Sequence, residues 1–300
     1  MSDAILRLDF EDVWIALEDI DAVAVVAEEL IARAVGTRID DEGTWPVGEW
    51  PGRDAREVVI EHPATGVRCV LSPANLRMAR SAALTALATR ELLTPGGVTV
   101  AVLGAPQAVQ FQLALIARCV PDISHVATCL PPGTSSSLPP RLVEQLEQDG
   151  IALSVAGSVT ETVFGANLVV AGDRAVLSDL DGIRLADLAR GTVLVNATGH
   201  DLPAEVVDEV GEMYVDDLSL LADNKDRYFV EAHLRSAVGR DGSSTRIAAD
   251  LGQLLVDGHF RAARHDRPVL VELLSAELLS ASLALRILET ALRMRIGTWM

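Results

Sequence analysis

Apolar and polar positions along the chain change period twice, and the changes divide it. From Asp9 to Gly36, Val13, Leu17, Ile20, Val23, Val26 and Leu30 recur at three- and four-residue steps. This predicts one amphipathic helix, capped by Asp9 and ended by Gly36. Residues 38–62, with "TWPVGEWPGRD", read as loop or irregular edge structure leading into a strand at "REVVIEH". "ATGVRCVLS" reads as a turn and a second strand. The Ala- and Leu-rich stretch 74–93 predicts a strong helix that stops before Pro95-Gly96-Gly97.

Strand and helix patterns then alternate. "GVTVAVLGA", "ISHVATCL", "IALSVAG", "NLVVAGD" and "TVLVNATG" read as strands. Helices are predicted at 106–119 and 140–149, in "SVTETVFGA" and in "IRLADLARG". Continuous apolar runs such as "VTVAVLG" fit strands buried on both faces. The alternation predicts an α/β protein, a Rossmann-like doubly wound parallel sheet with helices on both sides. Beyond residue 205 come a strand at "EMYVDDLS", helices near 229–238 and 244–257, and a final helix in "SAELLSASLALRILETALRMR" that ends at Gly297.

Composition narrows the function. A chain of 300 residues, 49% hydrophobic, suits one large domain or two lobes sharing a core. A formal charge of −18 without clustered Lys and Arg argues against nucleic acid as a partner. No apolar run reaches about 18 residues without a charge, so no membrane span is expected. The start "MSDAILRLDFED" lacks the layout of a signal peptide. Cys69, Cys119 and Cys129 lie far apart with no CxxC pair, which reads as buried, reduced thiols in a cytoplasmic protein with no metal site. Lys225 is the only lysine. A P-loop is thereby excluded, and a Schiff base could form only at Lys225, in the polar stretch "ADNKDRYF".

"VTVAVLGAPQAVQF" is the strand–turn–helix of a dinucleotide fold, with Pro106 where the second turn glycine would stand. Pro106 starts a helix well but adds a ring and removes an N–H from the phosphate cradle. Val109 replaces the small third residue of such a turn, and Leu130 stands where an acidic residue would hold the ribose of NAD.

Several strings, in order, resemble the ornithine cyclodeaminase/mu-crystallin family: "RSAALTALATREL", "GAPQA", "GANLVVAGD", "GTVLVNATGHDLPAEV", "MYVDDLS", "ADLGQLL" and "IGTW". The resemblance implies a homodimer acting on a small amino acid, imine or amine-derived metabolite with NAD or NADP. It implies a smaller dimerisation and substrate lobe from residues 1–94 plus 275–300, and a nucleotide-binding lobe from 95–274. It carries a substrate-binding role onto Arg80 and a catalytic role onto Asp201, with His200 beside it as a second proton-transfer candidate. Gly104, Ala105, Pro106, Gln107, Ala108 and Asn196 fall at cofactor positions. Ser135 and its neighbours Ser136, Ser137 and Arg141 are candidates for the extra phosphate of NADP.

Each role has a plainer alternative. Arg80 also reads as a surface residue of an Ala-rich helix, Asp201 as a turn former before Leu-Pro, and the Ser-rich stretch as a simple loop. The family's Gly-Val-Lys string has no counterpart; either Arg53 or Arg56 replaces its lysine or the site accepts something other than a free α-amino acid. Trp45 and Trp50 read as lining an apolar pocket or as core or dimer-contact residues, and Ser280 falls where the family often has an aspartate. Two outcomes follow for function: an enzyme at a C–N centre, or a family fold that has lost nicotinamide binding. The latter would be a redox-neutral lyase or hydrolase, or a non-catalytic ligand-binding dimer.

Overall fold

The structure is a computed structural model that describes residues 5–36, 57–94, 96–130, 138–180, 183–238, 247–257, 267–276 and 278–300. The chain runs β1 (Ile5–Leu8), α1 (Phe10–Asp19), α2 (Ala22–Ala34), β2 (Val58–Glu61), β3 (Arg68–Leu71) and α3 (Pro73–Leu92). Next come β4 (Val98–Leu103), α4 (Pro106–Cys119), β5 (Ile123–Cys129), α5 (Pro140–Gln148), β6 (Ala152–Val155), α6 (Val159–Val163) and β7 (Leu168–Ala171). The remainder is α7 (Leu177–Leu180), β8 (Val193–Asn196), α8 (Ala204–Glu209), β9 (Glu212–Val215), α9 (Tyr228–Val238), β10 (Ile247–Asp250), α10 (Leu251–Asp257), β11 (Val269–Glu272), α11 (Ala281–Met294) and β12 (Thr298–Trp299).

Two sheets form. The larger has eight strands in the order β10-β9-β11-β8-β7-β4-β5-β6, and every pairing in it is parallel. Its strands alternate between two apolar layers. Val100 and Val102 of β4 face one core, with α3 and α4, while Ala101 and Leu103 face the other, with α6 and α8. A parallel sheet covered on both faces is the doubly wound architecture that the runs of Val and Leu predict. The smaller sheet, β12-β1-β3-β2, joins the two ends of the described chain, with α1 and α11 packed together beside it.

The stripe predicted as one helix is two. Asp21 accepts a hydrogen bond from the Ala24 N–H at 2.9 Å and starts α2, while Ile20 is extended and ends α1. A second N-cap inside the stripe breaks a helix without disturbing its apolar face. The orphan carbonyls of α1 are met from α4, since Arg118 donates to the Leu17 and Ile20 carbonyls at 2.6 and 2.8 Å.

Three further expectations are corrected. "IRLADLARG" makes only a 3-10 turn at Leu185–Asp187. Residues 247–250, read as helix, form β10, because they pair in parallel with β9 and sheet pairing overrides a weak helical pattern. The final helix begins after Ser280, whose hydroxyl accepts from the Leu283 N–H at 3.0 Å; "VLVE" before it is the buried strand β11. α10 packs closely on α2: a Cβ on Gly252 would lie 2.6 Å from the Leu30 carbonyl oxygen. Among the described residues no helix is long and apolar enough to cross a membrane.

Candidate functional site

After β4 the chain winds to one side through β5 and β6, then returns past β4 to place β7 on its other side. That reversal leaves a crevice outside the carboxyl ends of β4 and β7, where open α/β sheets hold ligands. A cleft of about 210 Å³ lies there. Its floor is the strand ends, with Gly172 and Asp173 after β7 and Ala197, Thr198 and His200 after β8. Arg77, Met78 and Ser81 of α3 form a facing wall, and Ala108 and Gln112 come from α4. Arg174 and Ala276 complete it. Two arginines here stand out against the chain's charge of −18.

The turn after β4 has a packing reason for its glycine. Gly104 adopts φ +153°, and a Cβ there would lie 3.2 Å from the Asp173 Cβ. Ala105 precedes α4, Pro106 is in its first turn, and no side chain caps the helix. Pro106 fits that position because the first N–H of a helix has no intrahelical partner. Gln107 is exposed and Ala108 is buried against the cleft, so the open helix start abuts it. Uncapped N–H groups beside a cleft that also carries arginines fit a pyrophosphate, with one donor fewer than an all-glycine turn supplies. β5 ends at Cys129, followed by Leu130, and offers no carboxylate for a ribose diol. Arg141 is turned elsewhere: its guanidinium lies 5.5 Å above the Trp14 ring and pairs with Glu18. Ser135, Ser136, Ser137, Trp45, Trp50, Arg53 and Arg56 lie outside the described residues.

Arg80 is neither at the surface nor on the cleft wall. It is 1% exposed, and its Nη1 donates to the Ser275 carbonyl at 2.8 Å and to the Ser275 hydroxyl. Glu29 lies 3.9 Å from its Nε and also accepts from the Ser280 hydroxyl. Asp216, at the end of β9, accepts from the Leu274 and Ser275 N–H groups at 2.7 and 3.0 Å. Burial pushes the Asp216 carboxyl above its usual range, against the pull of Arg80 and these bonds.

His200 reaches the cleft and Asp201 does not. Asp201 Oδ1 accepts from Arg227 Nε at 3.2 Å and from the Tyr228 N–H at 3.1 Å, which draws it to the start of α9. Asn196, expected at a cofactor position, is fully buried and engaged within the protein. Its Nδ2 donates to both oxygens of Glu272 at 3.1 and 2.9 Å and to the His200 carbonyl at 2.7 Å. Its Oδ1 accepts from the Thr198 hydroxyl at 2.8 Å, and that oxygen accepts in turn from the His200 N–H at 3.1 Å.

Sequence reasoning missed Arg77, Arg174, Arg227 and Glu272. Arg77 was legible in principle, being one turn before Arg80 on the same helix and so on a neighbouring position of its face. Glu272 carried the signal of a charge closing an apolar strand, "VLVE". Burial pushes its carboxyl up to about 7, opposed by Arg227 and Asn196 and reinforced by Asp201. The Cys69 thiol is pushed by burial, and secondarily by Asp12, up to about 12, which leaves it unreactive. Among the described residues no cluster of His, Cys, Asp and Glu could hold a metal ion.

A Rossmann-type sheet, a smaller second sheet and a cleft at the reversal of strand order define a two-lobed α/β protein of the dinucleotide-fold class. No protein-family model matches the sequence, and no curated protein does. Solved structures match along nearly the whole chain. CmnK aligns with TM-score 0.68 at 20% identity, over 100% of this chain and 98% of that one. The probable ornithine cyclodeaminase of Bordetella pertussis Tohama I aligns with TM-score 0.66 at 16% identity, over 98% and 99%. The iminosuccinate reductase of Paracoccus denitrificans, in complex with NAD+, aligns with TM-score 0.64 at 14% identity, over 99% of each chain. The chain therefore has the ornithine cyclodeaminase-like fold that its ordered motifs resemble.

Proposed function

We propose that this protein is an NAD- or NADP-dependent enzyme acting at the C–N centre of a small amino acid, imine or amine-derived metabolite. The observation that carries this reading is the cleft itself: it lies at the strand-order reversal, beside an uncapped helix start, and is lined by Arg77, Arg174 and His200. A neighbour of the same fold is an imine reductase holding NAD+. A nicotinamide bound there would exchange hydride with the substrate carbon.

This chain's residues supply the rest. Arg77 and Arg174 attract the anionic groups of substrate and cofactor, and a guanidinium fork suits a carboxylate. His200 holds or releases the proton at the substrate nitrogen through its ring, while Asp201, anchored by Arg227, orients the turn from outside. Met78, Ala108 and Ala276 give the cleft apolar walls that limit water. Arg80 supports the site from within the core, through Ser275 next to Ala276. We further infer a homodimer built on a lobe of residues 1–94 plus 275–300; Trp299 and Met300, 54% and 57% exposed beside the small-sheet edge, support it.

The test is a titration of the purified protein with NADH and NADPH, following Trp quenching and nicotinamide fluorescence. Micromolar binding is expected, and turnover of amino acids and imines would then be followed at the nicotinamide absorbance. Pro106 and the absence of a carboxylate at the end of β5 favour a second reading, a redox-neutral lyase or hydrolase or a ligand-binding dimer. No binding at millimolar nucleotide would replace the first reading with the second.

A further inference from the structure

The turn that brings His200 to the cleft is held by side chains outside it. Arg227, 9% exposed, sits where three segments meet. Its Nη2 donates to the His200 carbonyl at 2.6 Å and to Glu272 Oε2 at 2.8 Å, and its Nε donates to Asp201 Oδ1 at 3.2 Å. The guanidinium carbon lies over the Phe229 ring, 4.8 Å from its centre. Glu272, 1% exposed, closes the interior strand β11 and accepts from Asn196 Nδ2 with both oxygens.

We propose that Arg227 and Glu272 are a positioning pair for this site: they fix the 197–201 turn so that His200 faces the cleft while Asp201 is held at the start of α9. The proposal rests on the reading of the cleft as the reaction site. Three features support it beyond proximity. First, every side-chain hydrogen bond of Arg227 and Glu272 described above runs to this turn, to Asn196 at its start, or to the other member of the pair. Second, a buried ion pair is rarely worth more in stability than apolar residues of the same volume, so its value here is geometric. Third, three acceptors on two segments, the turn and the end of β11, need the planar fork of arginine; a lysine ammonium would not span them.

The charged groups facing Glu272 are Arg227, from the start of α9, and Asp201, from the turn after β8. Asp216, at the neighbouring strand end, has its oxygens taken by Leu274 and Ser275. With its carboxyl near 7, Glu272 loses charge just below neutrality, and its grip on Arg227 and Asn196 weakens there.

The experiment needs neither nucleotide nor substrate. The protein has six histidines, and the ring signal of His200 is assigned by its loss in His200→Gln. In Glu272→Gln and Arg227→Met the His200 signal should shift while the other five stay in place. Amide exchange at 198–201 should rise about tenfold or more as the turn opens locally. Arg227→Lys, which keeps the charge without the fork, should give intermediate exchange and provides the test if Arg227→Met does not fold. An unmoved His200 signal with unchanged exchange in folded variants would overturn the proposal; so would all six histidine signals moving together. NADH titration of the wild-type protein is a separate readout, so failure of the nucleotide reading is distinguishable from failure of the clamp.

Discussion

Arg80 reaches through the core to Ser275, donating to its carbonyl at 2.8 Å, and thereby ties α3 to the segment that leaves β11. Asp216 grips the same serine through its N–H and hydroxyl, so Ser275 is held on both sides. Removing the arginine would leave Glu29 and Asp216 facing the core without their cation. Arg80→Ala should therefore cost about 3–5 kcal/mol of stability, read by urea denaturation. Unchanged stability with lost ligand binding would instead make Arg80 a direct ligand contact.

Arg77 is expected to behave in the opposite way. It is half-buried on the cleft wall, so Arg77→Ala should change stability by about 1 kcal/mol or less. Losing a charged hydrogen bond to an anionic ligand should weaken binding by about 10- to 100-fold. Equilibrium titration with the reduced nicotinamides and candidate carboxylates checks this; equal affinity in the variant would remove Arg77 from the site.

Pro106 gives a gain-of-function test. Pro106→Ala returns one N–H to the open start of α4 and should tighten NADH binding by about fivefold, the worth of one hydrogen bond near 1 kcal/mol. No change in Kd would mean that the pyrophosphate does not lie on this turn.

Glu272 should make stability depend on pH. Its carboxyl rises from 4.5 when exposed to about 7 in the fold, so the folded state binds the extra proton in that window. The stabilisation is fully present below 4.5 and is lost as pH rises towards about 7, an effect on the order of 3 kcal/mol. Thermal unfolding of Glu272→Gln from pH 4.5 to pH 7.5 should lose this slope. An identical slope in wild type and variant would mean that another group titrates.

Much of the fold was legible because its signals are local. The Pro106 helix start, the apolar runs of β4 and β8, and the long Ala-rich α3 need no distant partner to be recognised. What escaped depends on pairing between distant residues. β1 is a strand because it meets β3 on one side and β12 on the other, and β10 is a strand because β9 lies beside it. The site divides the same way. His200 lines the cleft and its neighbour Asp201 does not, and which of Arg77 and Arg80 does so depends on which side of α3 meets the strand ends. Arg227 and Glu272 come from opposite sides of the 239–266 region and have no sequence proximity to suggest a pair.

The small sheet also bears on how the molecule is made. Ile5 and Met300 exchange backbone hydrogen bonds at 3.2 and 2.9 Å, so the first described strand finds a neighbour at the far end of the described residues. During translation the large sheet can assemble from β4 onward as each unit emerges, while β1 and α1 wait for α11 and β12. Synthesis therefore closes this protein like a clasp: the wall that carries Arg77 gains the backing of α11 only after every strand of the large sheet has been made.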